Sequence, residues 1–396
     1  MISVGKALET LLNSTQDFGV EEVPFIKSVG RILKEDIVAD RDFPPFNRIS
    51  MDGIAIDVTS FKSGQRNFKI EEIQAAGSTQ TTLKNSKNCI EVMTGTVLPN
   101  ATNTVIRYED VSIEKGIATI LIDEIATGQN IHSRAKDKNQ GTILIQKNTI
   151  ISAAEIGVLA TVGKSFVKVA RQPKVMIVST GDELVSVDEI PEAHQIRRSN
   201  VFTLVSLLGK LKIPSKTAHI TDNKQILKSK IKIYLQDYDV LLFSGAVSKG
   251  KFDFLPDVLE ELGVEKVFHQ VAQRPGKPFL YGKTNSCTIF GFPGNPISTY
   301  VNCLVYFYPW YYKSVGVESK EETAILDSDV SFKPNLTYFL QVKLSLRFGH
   351  FIATPVTGNG SGDLASLVNA DGFIQLTQEQ TEFKKGDVFP VISYRI

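Results

Sequence analysis

A loop at residues 244–253 combines residue types that are well suited to binding a charged ligand. It reads Ser-Gly-Ala-Val-Ser-Lys-Gly-Lys-Phe-Asp and directly follows an apolar run at 240–243. The backbone N–H groups of such a turn can bind an anion, and the carboxylate of Asp253 can hold a metal ion beside it. The same residues are also typical of a tight glycine turn followed by an aspartate that caps a helix. The loop therefore predicts either a phosphate or oxyanion site with a metal-binding acid, or a turn and a cap.

Two more loops place acids and backbone donors directly after apolar runs. Thr-Gly-Asp-Glu at 180–183 follows the run 174–179, and Pro-Gly-Asn-Pro at 293–296 follows the run 287–292. If these runs are strands of one parallel sheet, their loops meet at its carboxyl edge, where open α/β sheets bind ligands. The sequence therefore predicts one site built from several loops.

A further loop, Arg-Pro-Gly-Lys-Pro at 274–278, carries two cations in a stretch that its prolines stiffen. A fixed pair of cations suits an oxyanion or phosphate clamp. The alternative is a proline-rich connection whose charges are solvated.

The N-terminal half contains two candidate segments that are less specific. Asp-Phe-Pro-Pro-Phe-Asn at 42–47 leads to Ser-Met-Asp-Gly at 50–53, which is either an acid held by stiff backbone or a domain linker. Met-Thr-Gly at 93–95 offers a hydroxyl group, or forms an ordinary β-turn. The histidines show neither metal-ligand spacing nor a Ser-His-Asp pattern, and we treat all of them as incidental: His132, His194, His219, His269 and His350.

Composition limits the classes of protein to which the chain can belong. A length of 396 residues is too great for one hydrophobic core and predicts roughly two to four domains. The 44 basic and 43 acidic side chains nearly cancel, so we expect neither nucleic acid nor a membrane surface as a partner. The three cysteines are widely spaced in apolar surroundings, and the sequence shows no secretory signal or bilayer-spanning run. We therefore expect a cytoplasmic protein without disulfides or structural zinc.

The elements that must position these loops follow from hydrophobic periodicity. Apolar residues at helical spacing predict a helix at 4–12, and a capping box at 152–155 begins another. Runs between 65 and 145 are short and lack helical periodicity, which predicts an inserted β domain that makes the flanking domain discontinuous.

Short apolar runs alternate with amphipathic ones from 173 to 316. They predict strands at 174–179, 238–243 and 287–292, weaker strands at 216–220 and 266–271, and a helix at 201–211 behind two cap candidates, Ser199 and Asn200. This alternation is typical of a mainly parallel, doubly wound α/β sheet, and the short alternating runs after about residue 318 indicate a C-terminal β domain. The predicted fold class is multidomain α/β plus β. The predicted domains are a discontinuous helical and linking domain at 1–44 and 139–171, an inserted β domain at 45–138, an α/β domain at 172–316 and a C-terminal β domain at 317–396.

In type and order these motifs resemble the signatures of the molybdopterin molybdenumtransferase family, MoeA, which is related to the E domain of gephyrin. The resemblance extends from about residue 4 to the end, and six or more signatures in sequence are far more specific than one glycine loop. The matching motifs are Asp-x-Pro-x-Phe at 42–46, Met-Asp-Gly at 51–53, Met-Thr-Gly at 93–95, Ser-Thr-Gly-Asp-Glu-Leu at 179–184, Ser-Gly-x-Val-Ser-x-Gly-x-x-Asp at 244–253, Pro-Gly-Lys-Pro at 275–278 and Pro-Gly-Asn-Pro at 293–296.

The resemblance implies an enzyme of molybdenum cofactor biosynthesis. Such an enzyme inserts molybdenum from molybdate into adenylylated molybdopterin and releases AMP in a step that needs Mg²⁺. It also implies a four-domain subunit in a homodimer, an α/β domain similar to molybdopterin adenylyltransferase, and that adenylyltransferase as a functional partner.

Roles for individual residues are likewise implied by the resemblance, position by position. The catalytic candidates are Asp253, Glu183, Asp52 and Asp137, of which Asp253 and Glu183 would also hold the metal ion. The substrate-binding candidates are Thr94, Ser244, Gly245, Ser248, Pro275, Gly276, Pro278, Pro293, Asn295 and Pro296. Molybdate would bind to Arg274, Lys277 and Ser361, while Asp52, Thr94 and Asp137 would reach the site from the partner subunit.

The chain departs from the family pattern at four places, one of which is Ile54, where the family motif Met-Asp-Gly-Tyr-Ala has a tyrosine. Residues 130–137 lack a glycine and an acid of the family motif and carry Lys136, the second glycine of the signature loop is Ala246, and a C-terminal arginine falls at Gln341, with Arg347 nearby. Two alternatives therefore stay open, a diverged nucleotide-pyrophosphate hydrolase and a gephyrin-like scaffold. A preference between molybdate and tungstate and the identity of the divalent ion are also open.

Overall fold

The computed structural model describes residues 1–245, 247, 253–318 and 321–395. The chain forms two compact units. The larger consists of Met1–Lys34, Asn148–Ser152 and Phe166–Ile396, and the smaller of Glu35–Lys147 and Ala153–Ser165. This division is coarser than the predicted four domains, whose boundaries stay a prediction.

A six-stranded sheet organises the larger unit. Its strands are β1 Val175–Thr180, β2 Ser215–Ile220, β3 Val240–Ser244, β4 Glu265–His269, β5 Leu280–Lys283 and β6 Thr288–Phe292, in the spatial order β2-β1-β3-β6-β5-β4. The pairs β2-β1, β1-β3 and β3-β6 are parallel, and β5 and β4 add an antiparallel edge. Because β1, β3 and β6 are buried at every residue, their sequences are nearly continuous apolar runs. The predicted mainly parallel α/β fold is confirmed.

Helices pack on the two faces of the sheet, and some of them connect its strands. They are Val4–Leu12, Ser199–Lys210, Lys224–Asp237, Leu255–Glu261, Pro296–Asn302 and Tyr308–Ser314, with a π-helical turn at Cys303–Phe307 between the last two. The predicted caps Ser199 and Asn200 are wrong, since both residues lie inside their helix, and its N-cap is Arg198, which makes no side-chain capping bond. Asn200 Nδ2 instead donates to Ser244 Oγ at 2.9 Å and to Gly294 O at 2.7 Å.

Alternate residues of the central strands pack into two different cores. Val175, Ile177 and Phe290 belong to a core rich in aromatic rings, which we call the aromatic core, whereas Met176 and Val178 belong to a second-face core. In the aromatic core, Phe290 lies 5.2 Å from Trp310 and 5.5 Å from Phe307 between ring centroids. The register of each strand is therefore determined by two separate packing requirements.

The C-terminal part of the larger unit is a β sheet that closes on itself. Its strands are Gln273–Arg274, Glu322–Leu326, Thr337–Arg347, His350–Pro355, Gly372–Leu376 and Val388–Ser393, with Thr337–Arg347 also paired to Gly372–Leu376. Smaller pieces of this unit are the strand pairs Val20–Pro24 with Phe166–Ala170, Leu184–Val185 with Ile196–Arg197, and Val330–Ser331 with Glu382–Phe383, the turn Phe25–Lys27 and the helix Ser366–Asn369. The predicted C-terminal β domain is confirmed.

The smaller unit is mostly β structure, as predicted for the inserted domain. Its sheet contains Thr104–Arg107, Gly53–Ile56, Asn88–Val92, Asn67–Gln74, Ile117–Ile120 and Val111–Glu114, in that spatial order. The remaining elements are the strand pairs Ile37–Val38 with Ile143–Ile145 and Arg48–Ile49 with Ile131–His132, the helices Val58–Lys62 and Ala153–Thr161, and the 3₁₀ turn Tyr108–Asp110.

Each cysteine is buried in a different core. Cys303 lies in the aromatic core, Cys287 in the second-face core and Cys89 in the smaller unit, and none is more than 1% exposed. Burial raises the pKa of Cys89 and of Cys287 to about 12, and it raises the pKa of Cys303 as well. In the described part of the chain, no helix is both long and apolar enough to cross a membrane.

Phe290→Ala tests the aromatic core. Deleting this fully buried ring should cost about 3–5 kcal/mol in the free energy of unfolding. Trp310 is the chain's one tryptophan and is 0% exposed beside Phe290, so its fluorescence during urea unfolding reports directly on this core. The control is Phe166→Ala, at a residue that is 51% exposed, and it should change the free energy of unfolding by less than about 0.5 kcal/mol. Equal shifts for both variants would contradict the assignment of this core.

Candidate functional site

A cavity of about 580 Å³ lies at the carboxyl ends of β1, β3 and β6. We call it the strand-end cavity. Six of the predicted site residues line it: Glu183, Ser244, Gly245, Asp253, Asn295 and Pro296. Pro293 does not, although its carbonyl oxygen accepts a 2.6 Å hydrogen bond from Thr299 Oγ1. Ser248 and the altered position Ala246 lie outside the described residues.

Strand register brings these loops together. Ser179 of β1 pairs with Ser244 of β3, which pairs with Phe292 of β6, so the three strands end in one row. Asn200 then joins the second and third loops through its bonds to Ser244 and to the carbonyl of Gly294. The three loops are therefore held by the sheet and by one amide side chain.

Gly181 leaves room for the carboxylate of Glu183 beside its own backbone. Its φ of +131° is a conformation that L side chains rarely adopt, and a Cβ at this position would lie 2.5 Å from Glu183 Oε2. The backbone conformation at 181 therefore favours glycine, and a Cβ there would make the carboxylate of Glu183 move.

Several carboxylates share the mouth of the strand-end cavity. Burial raises the pKa of Asp222, and the negative charges of Asp182, Glu183 and Asp253 raise it further. Within the described ranges, no three His, Cys, Asp or Glu side chains are arranged to hold a metal ion by themselves. One or two carboxylates beside a phosphate are nevertheless the usual protein contribution to an Mg²⁺ site. The donor set therefore suits a cation that is held jointly with a phosphorylated ligand.

Asp222 was missed by sequence reasoning, although a signal was available. It follows the strand β2, which ends at Ile220, and so it lies at the same sheet edge as the other loops. The sequence predicts a strand at 216–220. Ligands bind at the carboxyl ends of the strands in such sheets, so the residues that follow this strand are site candidates as well.

Two buried polar groups that line the strand-end cavity have no hydrogen-bond partner. They are Thr180 Oγ1 and Arg198 Nε, and Thr180 is only 6% exposed. Arg198 and Thr180 therefore offer the cavity a cation and a hydroxyl group beside its carboxylates. Burial lowers the pKa of the nearby His219, with a further contribution from the charge of Arg198, and His219 Nδ1 lies 3.1 Å from Ser179 Oγ. The sequence around Arg198 carried no signal for this role.

A smaller cavity of about 170 Å³ lies beside the loop at 274–278, and we call it the Arg274 cavity. Arg274, Pro275 and Ser361 line it, as does Gln341. Lys277 is exposed and Pro278 is half-buried, and neither appears in the wall of this cavity. Arg347, considered as a substitute for the missing family arginine, lies at the end of a hairpin paired with His350 and lines neither cavity.

A buried polar network holds the Arg274 loop. Gln273 Nε2 donates to Pro275 O and to Asn302 Oδ1, each at 2.8 Å, and Asn302 Nδ2 donates to Gly276 O at 3.3 Å. The hydroxyl of Tyr306 donates to Gln273 Oε1 from the π-helical turn, a distortion often found at functional sites. A Cβ on Gly276 would come within 2.6 Å of Asn302 Oδ1, so this position also requires glycine.

In the smaller unit, the structure brings Asp52 and Thr94 together. Asp52 Oδ1 accepts a 2.6 Å hydrogen bond from the Thr94 N–H, and this bond holds the pKa of Asp52 below its ordinary value. Asp137 Oδ1 lies 2.9 Å from Nε2 of His132, a residue we had treated as incidental.

Comparisons with known proteins identify three family regions along the chain. They are the MoeA N-terminal region (domain I and II) at residues 2–163, a probable molybdopterin binding domain at 176–311 and the MoeA C-terminal region (domain IV) at 323–394. A molybdopterin molybdenumtransferase from Synechocystis is 38% identical over 399 residues, covering 100% of both chains. One from Staphylococcus epidermidis is 29% identical over 99% of this chain and 95% of its own. A crystal structure of the Pyrococcus horikoshii MoeA protein matches all of both chains with a TM-score of 0.85 and 26% identity.

Asp222→Asn should stabilise the protein at neutral pH. The folded-state pKa of Asp222 is raised above its ordinary value of 3.8, so its ionised form destabilises the fold, and this cost appears as pH rises through that range. The amide removes the cost. We expect a higher unfolding temperature than wild type at about pH 7–8, with the difference vanishing below about pH 4.

Thermal unfolding followed by Trp310 fluorescence checks this prediction. The matched control is Asp40→Asn, at an exposed position in the smaller unit, which should change stability by less than about 0.5 kcal/mol at either pH. A stabilisation by Asp222→Asn that persists unchanged in acid would show that the ionised carboxylate of Asp222 is not its cause.

Proposed function

This chain belongs to the molybdopterin molybdenumtransferase family, MoeA, and from that premise we propose that it inserts molybdenum from molybdate into adenylylated molybdopterin with release of AMP. The chain is an enzyme of molybdenum cofactor biosynthesis. The observation that carries the finer proposal is the strand-end cavity, where hydrogen-bond donors and carboxylates lie side by side. A phosphoanhydride accompanied by a cation needs both kinds of group.

The phosphates of the adenylylated substrate would bind along the loops that follow β1 and β3. Ser244 and Gly245 lie at the end of β3, while Thr180 and Arg198 contribute buried groups that lack a protein partner. A phosphate oxygen supplies the acceptor that such donors require. Asn295 and Pro296 line the same cavity at the start of a helix and would shape its pterin and nucleotide end.

Asp253 and Glu183 would hold Mg²⁺ together with these phosphates. Burial, and after it the negative charges of the neighbouring carboxylates, raise the pKa of Asp222, and a divalent cation would relieve the repulsion among these carboxylates. Mg²⁺ would neutralise negative charge that develops on the phosphates as AMP leaves. A carboxylate that is not bound to the cation can orient the attacking water and accept its proton.

Molybdate would bind in the Arg274 cavity. Arg274 brings a cation there and Ser361 a hydroxyl group, and resemblance adds Lys277 to this set. Asn295, which lines the strand-end cavity, donates from Nδ2 to Ser361 Oγ at 2.8 Å, so the two cavities adjoin at this bond. Adjoining cavities suit a reaction in which the dithiolene of one ligand must meet the metal of the other.

The proposal extends to partners and location. We propose a cytoplasmic homodimer in which Asp52, Thr94 and Asp137 of a second copy complete the site. A molybdopterin adenylyltransferase would supply the substrate, since the reaction begins from an adenylylated pterin.

A diverged nucleotide-pyrophosphate hydrolase is the second candidate. The observation that favours it is Gln341, a neutral residue in the wall of the Arg274 cavity. Such an enzyme would use the strand-end cavity alone and would cleave its substrate without molybdate.

The deciding experiment measures AMP release from adenylylated molybdopterin, with and without molybdate and Mg²⁺. Release should require both ions and yield a metal-bearing cofactor. Asp253→Asn should reduce the rate by about 10²–10⁴-fold, because it removes a cation ligand or proton acceptor. The control is Asp257→Asn, an exposed carboxylate on the next helix. Molybdate-independent release would favour the hydrolase, and normal turnover by Asp253→Asn would refute the role of that residue.

Gly181→Ala should reduce AMP release by about 100-fold, because the new methyl group displaces the carboxylate of Glu183. The strained φ should also cost about 1–3 kcal/mol of stability. Gly209→Ala is the matched control, since Gly209 lies within the helix Ser199–Lys210 with open space at its Cβ position. It should retain full activity and gain slightly in unfolding temperature. Equal rates of AMP release by Gly181→Ala and Gly209→Ala would argue against a positioning role for Gly181.

A further inference from the structure

Asp137 is held in the smaller unit by both its backbone and its side chain. Its N–H donates to Phe43 O at 2.9 Å, and its Oδ1 lies 2.9 Å from Nε2 of His132. An ionised carboxylate only accepts hydrogen bonds, so the imidazole ring donates this one. Among the described residues, no group bonds to the second oxygen, Oδ2, and the side chain is 56% exposed. One oxygen of Asp137 is therefore anchored, and the other is available to a ligand.

His132 is well placed to hold a loop residue because it lies on a strand. The strand Ile131–His132 pairs with Arg48–Ile49, and the side chain of His132 is only 26% exposed. A functional group carried by a strand is positioned more precisely than one carried by a loop. The ring therefore restricts the rotation of a carboxylate that would otherwise turn freely at the surface.

Further bonds fix the loop at 133–137, which connects the strand to the acid. The backbone N–H of Arg134 donates to Asn47 Oδ1 at 2.9 Å, and Nε of Arg134 donates to Asp42 Oδ2 at 2.6 Å. These bonds tie the loop to the proline-containing segment at 42–47. The bond from the imidazole ring thus acts on a carboxylate whose backbone is already in place.

The same strand pair leads to Asp52 and Thr94. The N–H of Gly95, which follows Thr94, donates to Ile49 O at 2.8 Å, and Asp52 lies three residues beyond Ile49. The residues proposed to reach the site from a second copy therefore lie around one strand pair of the smaller unit. A side chain that orients Asp137 belongs to the same local framework.

We infer that His132 is a positioning residue that anchors Oδ1 of Asp137 and thereby presents Oδ2 as an acceptor in the site of a second copy. The inference rests on the proposed function for the role of Asp137. His132 touches neither the substrate nor the metal ion in this arrangement. Without the ring, the carboxylate stays on its loop but rotates freely, and a displacement of about 1 Å in a reacting group can cost about 100-fold in rate.

The test is the kinetics of AMP release from adenylylated molybdopterin by the full-length protein. His132→Leu removes the donor at similar volume and should lower kcat about 10–100-fold with KM unchanged, as expected for an interaction that matters only in the transition state. His132→Gln keeps an N–H donor of similar reach and should recover most of this loss. A rise in KM without a fall in kcat would show a binding role and overturn the inference.

His194→Leu is the matched control. His194 is also exposed beside an acid, with Nδ1 at 3.6 Å from Glu192 Oε2, and it lines neither cavity. Its substitution should leave both kinetic constants unchanged. His132→Leu should unfold at the same temperature as wild type, because exposed pairs of this kind contribute little to stability. A loss of activity that follows a lowered unfolding temperature would show a structural role and contradict the inference.

A double variant separates failure of this inference from failure of the proposed function. Asp137→Ala alone should slow AMP release, and adding His132→Leu should cause no further loss, because the ring then has no carboxylate to hold. Losses that multiply in the double variant, or a normal rate for His132→Leu, would overturn this inference and leave the proposed function standing. A normal rate for Asp137→Ala would remove Asp137 from the proposed site and this inference with it. A wild-type protein that releases no AMP would overturn both.

Discussion

Parallel pairing of β1 with β3 and of β3 with β6 places Ser179, Ser244 and Phe292 in one row at the edge of the sheet. That row is fixed by packing at a distance from the site. Successive residues of β1 enter the aromatic core and the second-face core in turn, so a slip of one residue would exchange the two sets of side chains. This constraint sets the relative positions of the loops that follow the three strands. Asn200 bonds two of these loops together, and a separate network around Gln273 holds the 274–278 loop. The site therefore depends on the sheet core for its geometry and on a few amides for its detail.

The strand-end cavity keeps opposite kinds of polar group close together but incompletely paired. Burial and the negative charges of neighbouring carboxylates raise the pKa of Asp222, while Thr180 Oγ1 and Arg198 Nε lack acceptors. The carboxylates and the unpaired donors each reduce the stability of the fold, and buried polar groups in proteins are ordinarily hydrogen-bonded. In the proposed complex, a phosphate with its cation would satisfy both sets. Unpaired donors and clustered carboxylates reduce stability, and features of this kind are expected at binding sites.

The sequence was sufficient for the architecture because the central strands are long enough and apolar enough to be unambiguous. Errors arose where tertiary contacts replaced local ones: Asn200 was expected to cap a helix, yet its amide is used to join two loops. Asp222 could have been found from the end of β2. Arg198 and the triad of Gln273, Asn302 and Tyr306 could not, because their partners are distant in sequence and nothing in the local pattern identifies them. The roles of Asp52, Thr94 and Asp137 came from resemblance alone.

The three buried cysteines have a consequence for how the protein opens. A thiolate is the reactive form of cysteine, and burial raises all three pKa values, so each thiol is protected while its own core is closed. Cys303, Cys287 and Cys89 lie in separate cores. Modification of each thiol by a small electrophile would therefore be gated by a different local unfolding event. Comparing the labelling rate of Cys89 with those of Cys287 and Cys303 would therefore compare the opening of the smaller unit with that of the larger unit.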